Sequence, residues 1–407
     1  MDVIIEKKYT DFMIPHLVDE TLREGVERTA FPISVESKVD ILRSMIDAGI
    51  RDFVVGCGPE SPDVWRSLHE ARDSGEISQD VESTFIVLLN CWETAYRNLS
   101  KYKGSQWIAD TVFSFGMITY KEKENTFERA VQAFKELGTK KFKASVLNNF
   151  RRGVSESGYR EICRQINWAR DLGAGIIRIN DSVGSLQPNT TEWLCSNLVR
   201  DYPDLIFCLH AHNDNGLAVA NAMISIQCGF QMIEGALAGY GNRSGIAPIE
   251  QIVKLCHVNN ISLGKNVVDI DKLIAAARLC EEKLLQVPSV YRPVGEIFET
   301  DSNLGVLNIP DFLDTRDDKR YFVNYVGLHP DTVKMAIRRH YPESDISAVS
   351  TQKLWQVVSK IQEEMSESFH ETEQRYKTAR RQFMEFYKDC VYTSRNLANS
   401  AKEMLGV

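Results

Sequence analysis

The chain lacks the features that mark membrane, secreted and redox proteins. No apolar stretch reaches the roughly 18 uninterrupted residues that a membrane-spanning helix needs. The N-terminus has acidic residues and no apolar core like that of a signal peptide. The 9 cysteines are scattered, form no Cys-x-x-Cys pair and mostly lie in apolar patterns, as buried thiols in a reducing compartment do. The sequence therefore predicts a cytoplasmic protein without a membrane partner.

Clustered positive charge is also missing. The chain has 48 Lys and Arg against 56 Asp and Glu, a formal net charge of -8, and no long basic run. This balance argues against nucleic acid as the main partner, and an anionic substrate would need locally placed cations. Its 407 residues, 43% of them hydrophobic, suffice for one large core and a further domain or subdomain.

A repeated pattern of a short apolar run, a turn and an amphipathic stretch covers residues 13–262. Eight such units predict an α/β fold of the (β/α)8 TIM-barrel type. A doubly wound open sheet is the alternative, but no Gly-x-Gly-x-x-Gly follows the first run. The predicted strands are 13–19, 52–57, 84–90, 108–114, 142–147, 175–181, 205–212 and 232–237.

The periodicity changes after the barrel. We predict a catalytic barrel over residues 1–265, a linker and small subdomain over 266–345, and a C-terminal helical region over 346–407. The C-terminal region carries apolar and aromatic residues spaced to form a stripe along a helix. Such a stripe packs on the same subunit or on a twin subunit, so we expect a homodimer or higher homo-oligomer through this region. The stripe consists of Phe369, Tyr376, Phe383, Phe386, Tyr387 and Val391.

Two histidines two residues apart end the seventh apolar run, in the segment His210-Ala211-His212. Side chains at i and i+2 of a strand share a face, so both imidazoles can bind one metal ion at the mouth of a barrel. The alternative is a hydrogen-bonded histidine pair that closes a strand end.

The first predicted strand ends in Asp19-Glu20-Thr21-Leu22-Arg23-Glu24-Gly25. Taken alone, this segment also fits a salt-bridged loop. Beside the histidines, however, Glu24 can supply an oxygen ligand, and Arg23 can stabilise a developing oxyanion. A divalent ion next to an arginine suits a 2-oxo acid, whose carboxylate and carbonyl oxygens can chelate the metal. The ligand set does not distinguish Zn, Mn, Co, Fe and Mg.

Three blocks together resemble the aldolase-type TIM-barrel superfamily of metallolyases and synthases. This superfamily contains homocitrate synthase, 2-isopropylmalate synthase and hydroxymethylglutaryl-CoA lyase. The resemblance implies that Arg23 is the catalytic arginine and that Glu24, His210 and His212 bind the metal. It further implies that Arg23, Glu27, Ser182 and Asn242 contact the substrate. The blocks are residues 19–25, residues 181–184, and residues 210–221 with 239–246.

Glu24 and Ile246 make the chain most similar to homocitrate synthase within this superfamily. Residues 292–298 also resemble the start of the subdomain that follows the barrel in the condensing enzymes. The resemblance thus implies condensation of a 2-oxo acid with acetyl-CoA or another acyl-CoA as co-substrate. Hydroxymethylglutaryl-CoA lyase itself is disfavoured, because residues 238–246 contain no counterpart of its loop cysteine.

Two departures concern the base that acyl-CoA condensation requires. Leu147 stands where the condensing relatives carry a glutamate, and residues 299–305 lack the histidine that those relatives carry. His329, Tyr321 and Tyr325 are candidate replacements. A second hypothesis is therefore a metal-dependent aldolase or lyase that acts through a 2-oxo acid enolate without acyl-CoA. A third is a barrel kept for binding or assembly.

A further departure is Glu27, where most of these enzymes have a glutamine near the substrate. Unless its surroundings protonate it, a carboxylate there repels a second acid group and favours a hydroxyl or an amine. The sequence therefore predicts that the accepted 2-oxo acid is not simply 2-oxoglutarate.

Overall fold

The computed structural model describes residues 12–116, 125–287, 293–294, 301–304, 320–323, 325 and 328–406. The chain divides into two compact units, residues 1–288 and 289–407. Within the described residues, no helix has both the length and the apolar character needed to cross a membrane.

The first unit is a closed parallel barrel whose strands β1 to β8 follow one another in chain order. This confirms the predicted TIM barrel and excludes the open sheet. The strands are β1 (His16–Asp19), β2 (Asp52–Cys57), β3 (Glu82–Leu88), β4 (Val112–Gly116), β5 (Lys141–Asn148), β6 (Ile176–Asp181), β7 (Ile206–Ala211) and β8 (Met232–Gly235).

Helices connect successive strands and cover the outside of the barrel. They are α1 (Val26–Arg28), α2 (Val35–Ala48), α3 (Asp63–Asp73), α4 (Trp92–Leu99), α5 (Gln106–Asp110), α6 (Thr126–Leu137), α7 (Glu156–Asp171), α8 (Pro188–Asp201), α9 (Ala218–Gln227), α10 (Ile249–Val258) and α11 (Ile270–Lys283). A π-helical turn, Thr21–Gly25, joins β1 to α1.

The two-residue period of the strands separates two environments. On β7, Phe207 and Leu209 belong to the large core that the strands share with the helices. Cys208 instead packs in a small cluster with residues of four other strands. His210 has the parity of Cys208, so it also faces the barrel interior. The four residues that pack with Cys208 are Val18, Val54, Ile86 and Met232.

The fourth strand differs from the prediction of 108–114. Ile108 lies in helix α5, because Ser105 caps that helix by accepting a hydrogen bond from the Ile108 backbone N–H at 3.4 Å. The strand starts only at Val112. The first strand is also shorter than predicted: Met13 forms only an isolated bridge with Ser262.

The second unit is mainly helical, as predicted. Two short parallel strands, β9 (Asp301–Leu304) and β10 (Arg320–Val323), precede its helices. The helices are α12 (Pro330–His340), α13 (Thr351–Glu367), α14 (Phe369–Cys390) and α15 (Ser394–Leu405). The division of the chain at 265 and 345 stays a prediction; helix α11 packs against α2 within the first unit.

Candidate metal and substrate site

The carboxyl end of β1 holds the turn that carries Arg23 and Glu24. Asp19 accepts hydrogen bonds from the backbone N–H and the hydroxyl of Thr21 at 3.0 and 2.6 Å. The Thr21 hydroxyl in turn accepts from the Leu237 backbone N–H at 2.8 Å, which ties the turn to the end of β8. Asp19 and Thr21 therefore build the scaffold, and the following residues face the site.

Glu24, His210 and His212 converge at the mouth of the barrel, and all three are buried. The Nε2 atoms of the two histidines lie 3.3 Å apart. Glu24 Oε2 lies 3.9 Å from His210 Nε2, and Glu24 Oε1 lies 3.7 Å from His212 Nε2. Ligands about 2.1 Å from one ion stand about 3 to 3.5 Å apart, so the two histidines already have the spacing of metal ligands and Glu24 needs only a small shift to complete the set.

The backbone of residues 241–242 fixes Glu24. The Asn242 N–H donates to Glu24 Oε1 at 2.9 Å. A Cβ on Gly241 would lie 2.8 Å from Glu24 Cγ, so only glycine allows this close approach.

Glu234 on β8 orients His210. Its Oε2 lies 2.9 Å from His210 Nδ1. Arg178 on β6 also lies close, with one guanidinium nitrogen 2.7 Å from the same Nδ1. Nδ1 can either donate its hydrogen to Glu234 or accept one from Arg178; metal binding through Nε2 requires the first arrangement, in which the Nε2 lone pair is directed at Glu24 and His212. Burial, followed by Arg178, lowers the pKa of His210 to about 3, so the ring is neutral, as a metal ligand must be.

Further buried charged side chains lie deeper in the barrel than the two histidines. Lys143 on β5 forms an ion pair with Glu234, and Arg178 Nε donates to Glu234 Oε2 at 2.6 Å. Arg178 also donates to Glu20 Oε1 at 2.6 Å. Burial raises the pKa of Glu20 to about 8, against the lowering effect of Arg178 and Arg23. We call Glu20, Lys143, Arg178 and Glu234 the interior ion network.

The sequence interpretation missed this interior ion network. Lys143 and Arg178 each stand between apolar residues of a strand that is otherwise typical of a buried core. A charge flanked by apolar neighbours in a barrel strand was the available signal, because strand parity turns it into the interior. The pattern does not say which charges meet, since the partners lie 91 and 158 residues apart.

Arg23 links three carboxylates. It forms an ion pair with Glu24, and its guanidinium lies 3.3 Å from Glu20 and 3.1 Å from Glu27. These neighbours, against the opposing effect of burial, raise the pKa of Arg23 further, so it is charged at any working pH. The Arg23 side chain is 15% exposed and thus still borders the open end of the site.

The predicted substrate contacts line the same mouth. The Asn242 side-chain amide donates to Glu27. The Ser182 Oγ is buried and has no hydrogen-bond partner among the described residues. Ser182 directly follows Asp181, whose carbonyl accepts from the His212 N–H at 3.3 Å, so it lies at the level of the histidines. An unpartnered buried hydroxyl there is suited to a ligand oxygen. The role of each residue stays a prediction.

The structure adds no support for His329, Tyr321 or Tyr325 as the missing base. The Leu147 side chain, the stretch 295–300 and residues 305–310 lie outside what the structure describes, and so does the Tyr321 side chain. His329 caps α12 through a capping box with Thr332. Tyr325 is exposed, and its carbonyl accepts from Gln362 at 3.2 Å.

Two other groups of potential metal ligands lie in the described part of the chain. The first group is His16, Asp52 and Glu82, and Lys265 already lies between its two carboxylates, 2.8 and 3.5 Å away. The second group is Glu20, His210 and Glu234. Arg178 bridges its two carboxylates, which belong to the interior ion network. Glu24, His210 and His212 are therefore the best candidate for a metal site.

A closed parallel barrel with a buried carboxylate and two histidines at its carboxyl end is the architecture of metal-dependent TIM-barrel proteins. The chain belongs to the HMGL-like family, whose sequence profile matches residues 15–280. This match confirms the aldolase-type superfamily expected from the three sequence blocks.

Individual relatives agree with this assignment. The homocitrate synthase of Saccharolobus islandicus (strain L.S.2.15 / Lassen #1) is 28% identical over 375 residues, which cover 87% of this chain and 77% of the relative. The homocitrate synthase of Saccharolobus solfataricus is 29% identical over 277 residues, 65% of this chain and 57% of the relative.

Solved structures support the fold. An HMG-CoA lyase from Acinetobacter baumannii has a TM-score of 0.55 at 18% identity, covering 73% of this chain and 98% of that one. A hydroxymethylglutaryl-CoA lyase from Pseudomonas aeruginosa has a TM-score of 0.53 at 18% identity, with coverages of 68% and 95%.

Proposed function

We propose that the protein is a divalent-metal-dependent enzyme that forms a carbon–carbon bond at the carbonyl carbon of a 2-oxo acid, with an acyl-CoA as the second substrate. Its homocitrate synthase and lyase relatives indicate an enzyme. The observation that carries the proposal is the convergence of Glu24, His210 and His212 beside Arg23. Bound there, a divalent ion supplies a Lewis acid for the carbonyl oxygen.

The chain's own residues then have separate tasks. Arg23 stabilises negative charge that develops on the carbonyl oxygen. Ser182 and Asn242 orient the 2-oxo acid through hydrogen bonds. Glu234 holds His210 in the tautomer that a metal requires. In the condensation, the methyl carbon of the acyl thioester loses a proton to a base and bonds to the carbonyl carbon. The carbonyl oxygen gains a proton, and hydrolysis of the thioester releases the CoA thiol.

A second candidate follows from Leu147 and from the absence of histidine in residues 299–305. An aldolase or lyase that acts through the enolate of the 2-oxo acid itself needs no base directed at an acyl-CoA methyl group. This enzyme would use the same metal and Arg23.

One screen separates the two candidates. Purified protein with a fixed divalent metal is given a panel of 2-oxo acids with either acetyl-CoA or a short aldehyde as the second substrate, and free thiol and product mass are recorded. Thiol release that depends on the 2-oxo acid supports the synthase; turnover without CoA supports the aldolase. No turnover in either arm contradicts both.

The metal site is tested by His212→Ala. We expect activity to fall at least about 100-fold and the bound metal, measured by mass spectrometry, to be lost, because one of three protein ligands is removed. The control is His257→Ala, which changes an exposed histidine of α10. Equal metal content in the two variants would refute the site.

A further inference from the structure

The interior ion network fills the barrel below the metal site. Lys143 and Arg178 are only 2% and 3% exposed. Their long side chains occupy the space into which the far end of a bound ligand could otherwise extend. A substrate held at Glu24, His210 and His212 must therefore direct its far end towards the open rim.

The cations of the network are also already neutralised. Lys143 is paired with Glu234, and Arg178 with both Glu20 and Glu234. With Arg23, Glu24 and Glu27 included, three cations face four carboxylates, or three if Glu20 is protonated. The side chains on these strand ends thus offer no surplus positive charge for a second acid group.

Two further arginines, which neighbour Glu27 and Asn242 in the chain, hold the loops. Arg243 forms a two-point ion pair with Asp214, at 2.9 and 3.1 Å, and donates to the Ser182 carbonyl at 2.7 Å. Arg28 donates to the Arg243 carbonyl at 2.8 Å and lies over the Tyr240 ring at 5.9 Å. Both therefore serve loop structure.

Glu27 is the carboxylate that borders the opening. Its side chain is 37% exposed, whereas those of Glu20, Glu24 and Glu234 are at most 1% exposed. Arg23 Nε lies 3.1 Å from Glu27 Oε1, and the Asn242 amide contacts Oε2. Both oxygens are thus fixed in place, and each retains a lone pair for a further donor.

Resting on the proposed function, we infer that Glu27 is a specificity-determining residue that selects 2-oxo acids with a hydrogen-bond donor, a hydroxyl or an amine, at the far end and excludes 2-oxo dicarboxylates. A donor group pairs with the fixed carboxylate, whereas a second carboxylate meets its like charge, which Arg23 only partly offsets because it is shared with Glu20 and Glu24.

Three 2-oxo acids of equal chain length test this inference. They are 5-hydroxy-2-oxopentanoate, 2-oxopentanoate and 2-oxoglutarate, and their binding to the metal-loaded protein is measured by isothermal titration calorimetry at pH 7.5. We expect the hydroxy acid to bind most tightly and 2-oxoglutarate at least about tenfold more weakly, because each 1.4 kcal/mol of repulsion is a factor of ten. Activity is not needed for this measurement.

Glu27→Gln is isosteric and removes only the charge. We expect it to weaken binding of the hydroxy acid, to improve binding of 2-oxoglutarate at least about tenfold, and to leave 2-oxopentanoate within about twofold. The matched control is Glu136→Gln, an exposed carboxylate in the last turn of α6 at the opposite end of the barrel, which should change none of the three.

The outcomes distinguish the inference from the proposed function. If 2-oxoglutarate binds as tightly as the hydroxy acid, or if Glu27→Gln does not change their ratio, the specificity role is wrong while 2-oxo acid binding stands. If none of the three binds the metal-loaded protein, the proposed function fails and the inference fails with it.

Discussion

At the scale of single residues, Glu234 is positioned to act on the proposed metal site through His210. Its Oε2 lies 2.9 Å from His210 Nδ1, and the ring presents Nε2 to the metal position. We expect Glu234→Gln to weaken metal affinity roughly 10- to 100-fold, because the amide no longer fixes the tautomer of His210. Competition with a chelator of known affinity measures this loss.

A second buried carboxylate provides the control. Glu281 accepts a hydrogen bond from the Tyr240 hydroxyl at 3.0 Å. Glu281→Gln should leave metal affinity unchanged, and circular dichroism should show both variants folded. Equal chelator resistance in the two variants would show that Glu234 does not support the metal.

Residue-level prediction from the sequence depended on local spacing. His210 lies on strand β7 and His212 directly follows the strand, and Glu24 directly follows Arg23, so chain order alone suggested a shared site. Lys143, Arg178 and Glu234 come from three different strands, and Glu20 directly follows a fourth. Their meeting depends on barrel closure and register, which propensities do not encode.

At the scale of elements, helix α2 shows a start signal that can be tested. The Ser34 side chain accepts a hydrogen bond from the Ser37 backbone N–H at 3.0 Å, and no glutamate or glutamine stands at position 37 to complete a capping box. We expect Ser34→Ala to lower the free energy of unfolding by about 1 kcal/mol. Urea unfolding measures this change.

Ser37→Ala is the matched control, because it keeps the backbone donor and removes only a hydroxyl that contacts Ser34 Oγ at 3.0 Å. It should cost less than half as much as Ser34→Ala. An equal loss would assign the stabilisation to the hydroxyl pair and not to the cap.

The same kind of signal explains the misplaced fourth strand. Residues 108–114 are apolar enough for a strand, but Ser105 starts a short helix through Asp110 before the strand begins. Apolar runs of this length fit either structure, so the cap decides. Among the eight barrel strands only β2 was predicted residue for residue, and β3 begins and ends two residues before the predicted 84–90.

At the scale of the whole molecule, the C-terminal helices expose an apolar seam. Phe369, Tyr376 and Phe383 lie seven residues apart on α14 and are 63%, 64% and 46% exposed. On the next helix, α15, Leu397 and Met404 are again seven residues apart and exposed. One large exposed apolar side chain per heptad is typical of a helix face that packs on another chain, so we propose that two copies of the chain pair through it.

Phe383→Glu should break this pairing, because it buries a charge in the seam. We expect the apparent mass in analytical ultracentrifugation to fall towards the 46.3 kDa of one chain. Thr378→Glu adds the same charge five residues earlier, off the seam, and should leave the mass unchanged. A wild-type protein that sediments as one chain would refute the pairing.

The interior ion network also bears on how the protein can evolve. Glu234 is paired with both Lys143 and Arg178, so replacing it alone leaves two buried cations with less compensation, at a cost of about 3–5 kcal/mol for a broken buried pair. A lineage that enlarges the barrel for a longer substrate must therefore exchange several charges together. Glu27 carries no such constraint, and the shortest mutational route to a new substrate runs through the rim.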